Sequence, residues 1–239
     1  MKVSVVVCAR NEEAFIENCL KALKAQKRVE PEIIVIDGHS TDNTVKLAKK
    51  YTSKVYYDNG KGIANARNVG WQHASGDIVA YCDADCKPRR NWISKIQKIM
   101  SQKDYVAIYG PVVPYDGNIF LRLNLKFWGD WARWLTDQVN YPTICAANVA
   151  FRRSVLKKHP FKINNVMEDF EIGDRLRKIG RVKFIRRLKM PISGRRFKES
   201  FYIVAIRDYF FNYLRLKFGR ELKSKYWEER FSKSGEGRI

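Results

Sequence analysis

Apolar residues in the first half of the chain alternate between two periods. Val3, Val5, Val6 and Val7 make Lys2 to Cys8 a nearly continuous β-branched run, the pattern of a strand buried on both faces. Residues Glu12 to Ala25 switch to a helical period, with Phe15, Ile16, Cys19, Leu20 and Leu23 on one face. Glu12 and Glu13 fall in the expected first turn, where the helix dipole favours acids. The alternation then repeats. Strands are predicted at Glu32–Ile36, Lys54–Tyr57, Ile78–Cys82 and Tyr105–Tyr109. Helices are predicted over about 42–51, within 60–74 and over 91–100, with Ser40, Thr41 or Asp42 capping the first. This order predicts an α/β fold with a mostly parallel central sheet and helices on both faces.

After Gly110 the rhythm changes. Ile119 to Leu135 carries Phe120, Leu121, Leu123, Leu125, Phe127, Trp128, Trp131 and Trp134; it begins with strand-like alternation, while the tryptophans fit a helix, and a helix is expected. A short strand is predicted over Asn148–Phe151, a helix over about 169–179 with Gly180 as its C-cap, and a strand over Arg181–Arg186. Toward the C-terminus Tyr202, Ile203, Ile206, Tyr209, Phe210, Tyr213 and Leu214 share one face of a basic amphipathic helix. The expected division is one main domain over 1–190, with halves at 1–110 and 111–190, followed by a basic extension over 191–239.

Length and charge narrow the picture. A chain of 239 residues buries a full core without disulfides or metal staples. Its formal charge of +21 calls for an anionic partner: nucleic acid, anionic lipid or a phosphorylated small molecule. Five cysteines, an odd count without paired CxxC spacing, favour reduced thiols and a cytoplasmic setting. Cys82 and Cys86 flank an acid pair, but one isolated C-x3-C supplies too few ligands for structural zinc. Met1-Lys2-Val3-Ser4 runs straight into a strand, so no signal peptide is expected, and no apolar run approaches bilayer-spanning length.

The chemistry concentrates at the ends of the predicted strands, where ligands of parallel sheets bind. Three strand ends carry polar groups: Ala9-Arg10-Asn11-Glu12, Asp37-Gly38-His39-Ser40 and Asp83-Ala84-Asp85. Residues i and i+2 on a strand point the same way, so Asp83 and Asp85 are expected to reach one hard cation, Mg²⁺ or Mn²⁺, of the kind that clamps a diphosphate. An Asp pair at a surface turn is the alternative when the motif stands alone.

These segments, taken in order over roughly Val3 to Ile185, resemble a family 2 glycosyltransferase with the GT-A fold. Val5 to Glu13 is similar to the family's opening strand and nucleotide loop, and Glu32 to Thr44 to its second strand. Ala66-Arg67-Asn68-Val69-Gly70 and Ala74-Ser75-Gly76-Asp77 are similar to the segment before the metal motif, and Asp83-Ala84-Asp85 to that motif. Ala146 to Arg153 is similar to the acceptor-side strand, and Glu168 to Gly180 to the ED motif and its helix. The resemblance implies an inverting, metal-dependent transferase using a UDP- or GDP-type sugar donor. It implies Asp169 as the base for the acceptor hydroxyl, the helix dipole keeping its pKa low; complementing that dipole is the plainer role for Glu168 and Asp169.

Ala9, Arg10, Asn11, Glu12, Ser40 and Ala84 are expected around the nucleotide, with Asp37 accepting from the base or else capping the next helix. Arg67 is expected to meet phosphate or to be solvated, and Asn148 with Glu168 to meet donor sugar or acceptor, a strand-edge hydrogen bond being the alternative for Asn148. Arg195 and Arg196 are candidate contacts to a diphosphate or lipid phosphate. Gly194-Arg195-Arg196-Phe197 lacks the Gln/Arg-x-x-Arg-Trp motif of processive members. The acceptor is expected to be a polyprenyl phosphate or lipid-linked glycan at the cytosolic membrane face. A soluble acceptor, or a non-catalytic RNA- or lipid-binding role on the same scaffold, are the alternatives. The C-terminal helix can meet an anionic membrane, a second subunit in a homodimer, or the catalytic domain; nucleic acid is not expected as a partner.

Overall fold

The structure is a computed structural model of the chain that describes residues 1–102, 104–116, 134, 144–163 and 167–197. The expected helix over Ile119 to Leu135, apart from Trp134, and the basic C-terminal helix lie outside the described residues.

In chain order the elements are β1 (Val3–Ala9), α1 (Ile16–Lys24), β2 (Glu32–Asp37), α2 (Thr44–Ala48), β3 (Val55–Tyr57), α3 (Ile63–His73), β4 (Ile78–Asp83) and α4 (Trp92–Gln102). Then come β5 (Tyr105–Tyr109), β6 (Val112–Pro114), a 3-10 turn (Ala146–Asn148), β7 (Val149–Arg152), α5 (Arg153–Lys158) and α6 (Glu168–Leu176). Strands β8 (Arg181–Phe184) and β9 (Met190–Ile192) and a second 3-10 turn (Gly194–Phe197) complete the description.

Seven strands form one sheet in the order β3-β2-β1-β4-β7-β5-β8. All pairings are parallel except those of β7, which runs antiparallel between β4 and β5. Strands β6 and β9, which are not among the predicted strands, pair in parallel as a separate two-stranded sheet.

The valines of β1 are fully buried, as a continuous β-branched run requires of a central parallel strand. One layer of core packs Val3, Val5 and Val7 with Ile16, Leu20 and Leu23 of α1 and Ile93 and Ile96 of α4. The opposite layer packs Val6, Ile34, Ile36, Tyr81 and Phe151 with α3, α5 and α6. Gly70 makes the close approach of α3 to β1: a Cβ there would lie 2.3 Å from Val6 Cγ1.

Three local expectations are corrected. Helix α1 begins at Ile16, so Glu12 and Glu13 precede it; the Glu12 carbonyl accepts from Phe15 and Ile16 N–H, both at 2.9 Å, and starts the helix from outside. Gly180 does not adopt the left-handed C-cap conformation. It is needed because a Cβ there would meet Val106 Cγ1 at 2.3 Å. Finally, β4 ends at Asp83, and Asp85 lies in the turn that follows, closed by Cys86 N–H on the Asp83 carbonyl at 3.0 Å. The i, i+2 strand argument therefore does not govern this pair, because Asp85 is not a strand residue.

Candidate active site

The loops after β1 and β2 are stitched into one rim. Asn11, in the left-handed region at φ 52°, donates its N–H to Ser40 Oγ at 2.9 Å and accepts the Thr41 N–H on Oδ1 at 2.8 Å. Ser40 donates its own N–H and hydroxyl to the buried Asp37 carboxylate at 2.8 and 2.6 Å. The Gly38 N–H meets the Ala9 carbonyl at 2.8 Å, Glu12 N–H meets Thr44 Oγ1 at 2.8 Å, and Ala9 is buried. Asp37 thus organises the loop through Ser40 and does not cap the next helix, which begins at Thr44. The Asp42 carboxylate, not Ser40 or Thr41, takes the Thr44 N–H at the head of α2.

Beside this rim stand two residues the sequence does not single out for a role. His39, also left-handed at φ 58°, stacks on Tyr57 with ring centroids 5.9 Å apart. Its Nε2 lies 3.1 Å from the carbonyl and 3.4 Å from the carboxylate of Asp58. Asp58, largely buried, is tied to Asp37 by its N–H on the Asp37 carbonyl at 3.0 Å. The signal for Asp58 is its place just past the end of the strand expected at Lys54–Tyr57.

The acid pair occupies the middle of the edge. Asp83 is half-buried, Ala84 is buried, and Asp85 is buried with its Oδ2 3.1 Å from Arg195 Nη2. Arg195 Nη2 also meets both Glu12 carboxylate oxygens, at 2.5 and 2.6 Å, and its guanidinium lies 4.4 Å above the Phe15 ring. Cys82 and Cys86 are buried on the core side; a hydrogen bond with Cys19, then burial, raises the Cys82 thiol, and burial raises Cys86. Protonated thiols are poor ligands. All five cysteines are free thiols.

Among the described residues no cluster of three or more His, Cys, Asp or Glu is arranged to hold a metal. The acid pair supplies only hard oxygen donors, which suit Mg²⁺ or Mn²⁺. The buried carboxylate of Asp85 already needs a cation beside it, a need Arg195 meets here. The donor chemistry therefore fits a divalent ion, provided that the guanidinium yields.

The acceptor-side acids sit at the head of α6, which enters from Met167 in the left-handed region at φ 62°. Glu168 forms a buried ion pair with Arg67 of α3, each side chain about a tenth exposed or less. Each answers the other's charge. Asp169 accepts from Ala146 N–H at 3.3 Å and Phe170 N–H at 3.0 Å. Burial pushes its pKa up, opposed by Arg67 and those N–H groups. The expectation that the helix dipole would hold it low is corrected, because desolvation is the larger influence. The turn that orients Asp169 is also tied to the acid pair: Ala147 O receives Cys86 Sγ–H at 3.7 Å. Asn148 is fully buried, with its amide donating to Leu188 O at 2.6 Å and Pro111 O at 3.1 Å and accepting from Trp92 Nε1 at 2.9 Å. That bonding is structural, as its hydrogen-bonding alternative predicts.

The arrangement gathers the loops after β1 and β2, the acid pair and the carboxylate of Asp169 near the ends of the parallel strands. Known proteins share the scaffold. The chain is 33% identical over 103 residues to the glycosyltransferase AglE of Haloferax volcanii, a match covering 39% of this chain and 33% of AglE. It spans about a third of the length of such relatives. Among solved structures, TarS (residues 1–349) of S. aureus in complex with UDP-GlcNAc superposes with TM-score 0.62 at 21% identity, over 77% of this chain and 56% of that one. Glucosyl-3-phosphoglycerate synthase of Mycobacterium tuberculosis, in complex with Mn²⁺, UDP and glucosyl-3-phosphoglycerate, superposes with TM-score 0.64 at 19% identity, over 92% of this chain and 80% of that one. Those likenesses carry the fold, and the sequence profile described as "Glycosyl transferase family 2" matches residues 4–159, so the chain belongs to that family.

Proposed function

We propose that the protein is a metal-dependent, inverting glycosyltransferase that moves one sugar from a nucleotide-diphosphate donor to an acceptor hydroxyl or phosphate. The observation that carries this reading is the shared 146–148 turn. It bonds Asp169 at one end and the Cys86 thiol, next to Asp85, in its middle, so one turn links the candidate base to the acid pair.

In this reading the loops of residues 9–12 and 37–40, with Asp58, receive the nucleoside, and UDP is favoured because two structural relatives bind it. A divalent ion held by Asp83 and Asp85 supplies charge neutralisation for the departing nucleotide diphosphate. Asp169 accepts the proton of the attacking hydroxyl. Its raised pKa makes it a stronger base than an exposed aspartate, provided the pH stays above that pKa. Arg67 limits the rise and holds Glu168 beside it. Residues 1–110 then carry donor binding and 111–190 the acceptor side.

The acceptor is proposed to be anionic: a polyprenyl phosphate or lipid-linked glycan at a membrane surface. The net charge of +21 and the basic, aromatic sequence after Tyr202 favour this. So do two relatives, one named for poly(ribitol-phosphate) and one solved with phosphoglyceric acid. Among the described residues no helix is long and apolar enough to cross a membrane, and surface attachment is the proposed mode.

The test is release of nucleoside diphosphate from a panel of UDP- and GDP-sugars with Mn²⁺ and Mg²⁺, using phosphorylated-lipid and soluble acceptors. Turnover is expected with a UDP-sugar, to fall on chelation, and to rise with the lipid phosphate. Absence of both binding and turnover across the panel would overturn the reading.

A further inference from the structure

The second acid of the metal pair is held by the protein's own cation. The Asp85 side chain is 1% exposed, and a carboxylate so buried requires a counter-charge. Arg195 supplies it through Nε and Nη2 on Asp85 Oδ2, at 3.2 and 3.1 Å. The same guanidinium is shared with Glu12 and lies over Phe15. A divalent ion on Asp85 would bring like charge to within ion-pair distance of Arg195, so both cannot hold this carboxylate at full contact.

The backbone that presents Arg195 is fixed. Ser193 N–H bonds the Asp85 carbonyl at 3.1 Å, Lys87 N–H bonds the Pro191 carbonyl at 2.8 Å, and Cys86 bridges Ile192. Asp116 anchors the same strap through Ser193 Oγ at 3.0 Å and through Gly194 N–H. The Arg195 side chain, by contrast, is 30% exposed. Exchange at Asp85 therefore needs only rotation of that side chain, and Glu12 with Phe15 gives the guanidinium a seat when it lets go.

We propose that Arg195 is a positioning residue with two seats, one on Asp85 that excludes the divalent ion and one on Glu12 and Phe15 that admits it. This rests on the reading of Asp83 and Asp85 as the cation-holding pair. Two consequences follow from the geometry. Metal binding without nucleotide is weakened by the Arg195–Asp85 ion pair. A diphosphate, by drawing the freed guanidinium toward its own charge, relieves that competition, so nucleotide and metal strengthen each other's binding.

The experiment measures Mn²⁺ binding to the full chain by the loss of the free-ion electron paramagnetic resonance signal, first without nucleotide and then with UDP. Arg195→Gln is expected to bind Mn²⁺ alone about tenfold more tightly than wild type. It should also show a smaller gain on adding UDP. Arg195→Lys keeps the charge, but an ammonium cannot span Glu12 and Asp85 as the planar fork does, so it is expected to bind Mn²⁺ roughly threefold more tightly. Glu12→Gln leaves the guanidinium with Asp85 as its carboxylate partner and should weaken Mn²⁺ binding. Unfolding temperatures establish that each variant is folded; if Arg195→Gln is not, Arg195→Lys decides. Mn²⁺ affinity unchanged or lowered in Arg195→Gln, or equal to wild type in Arg195→Lys, would overturn the competition while leaving the transferase reading intact. No Mn²⁺ binding by any variant, with or without UDP, would overturn the cation site and Arg195's role together.

Discussion

The two edges of the central sheet use the same residue types to opposite ends. At the edge where the strands begin, Glu32 receives hydrogen bonds from Lys54, Ser4 and Ser75, with Ser75 N–H at 2.8 Å. Burial opposes its ionisation, but these donors prevail and draw its pKa from the usual 4.5 down to about 2. At the edge where the strands end, Asp169 meets two backbone N–H groups and the charge of Arg67, yet burial prevails and its pKa goes up. A carboxylate's pKa falls when donors saturate it and rises when they fall short of its desolvation. The difference lies in how many donors arrive from elsewhere in the chain.

Substitutions can break this contrast. The largest effect is expected for Asp169→Asn, which removes the proton acceptor with little change of shape. Turnover should fall about a thousandfold while UDP binding, followed by calorimetry, stays near wild type. Equal turnover in the variant would remove Asp169 from the chemistry.

Arg67→Gln comes next. It leaves Glu168 buried without its partner, and a loss of about 3 kcal/mol in unfolding free energy is expected by urea denaturation. It also removes the influence that lowers Asp169, so the Asp169 pKa should climb further. Since the base works only when ionised, the acid limb of the pH–rate profile should move to higher pH. A limb that stays in place would separate Arg67 from the base.

Glu32→Gln tests the opposite edge and should cost about 2 kcal/mol of stability at neutral pH without altering kcat. The sign follows from the depressed pKa. In wild type the Glu32 contribution is complete above about 4.5 and fades as the pH falls toward about 2, so the two proteins should converge in stability in acid. The smallest effect is expected for Lys54→Met, about 0.5 kcal/mol, because Lys54 is 41% exposed and Ser4 and Ser75 remain on the carboxylate.

The ending edge was readable in sequence as a set of strand ends, and the starting edge was not. Asp37, Asp83 and Asp169 stand out because each acid closes an apolar run or opens a helix. Glu32, Ser4 and Ser75 carry no such mark, since their meeting depends on strand register: β1 and β2 pair Ser4 with Glu32. Arg195 was legible as a basic residue near phosphate chemistry. Its hold on Asp85, 110 positions earlier in the chain, was not.

The sequence by itself determined the alternation of strand and helix, the parallel sheet and the edge where polar groups gather, because side-chain periodicity and chain direction are local properties that every segment carries with it. Tertiary structure alone decided who answers each charge: Arg67 for Glu168, Arg195 for Asp85 and Glu12, and Asn148 for the carbonyls of Pro111 and Leu188. Those partners come from distant segments, and only their placement and desolvation in the folded chain set the charge environment of each carboxylate.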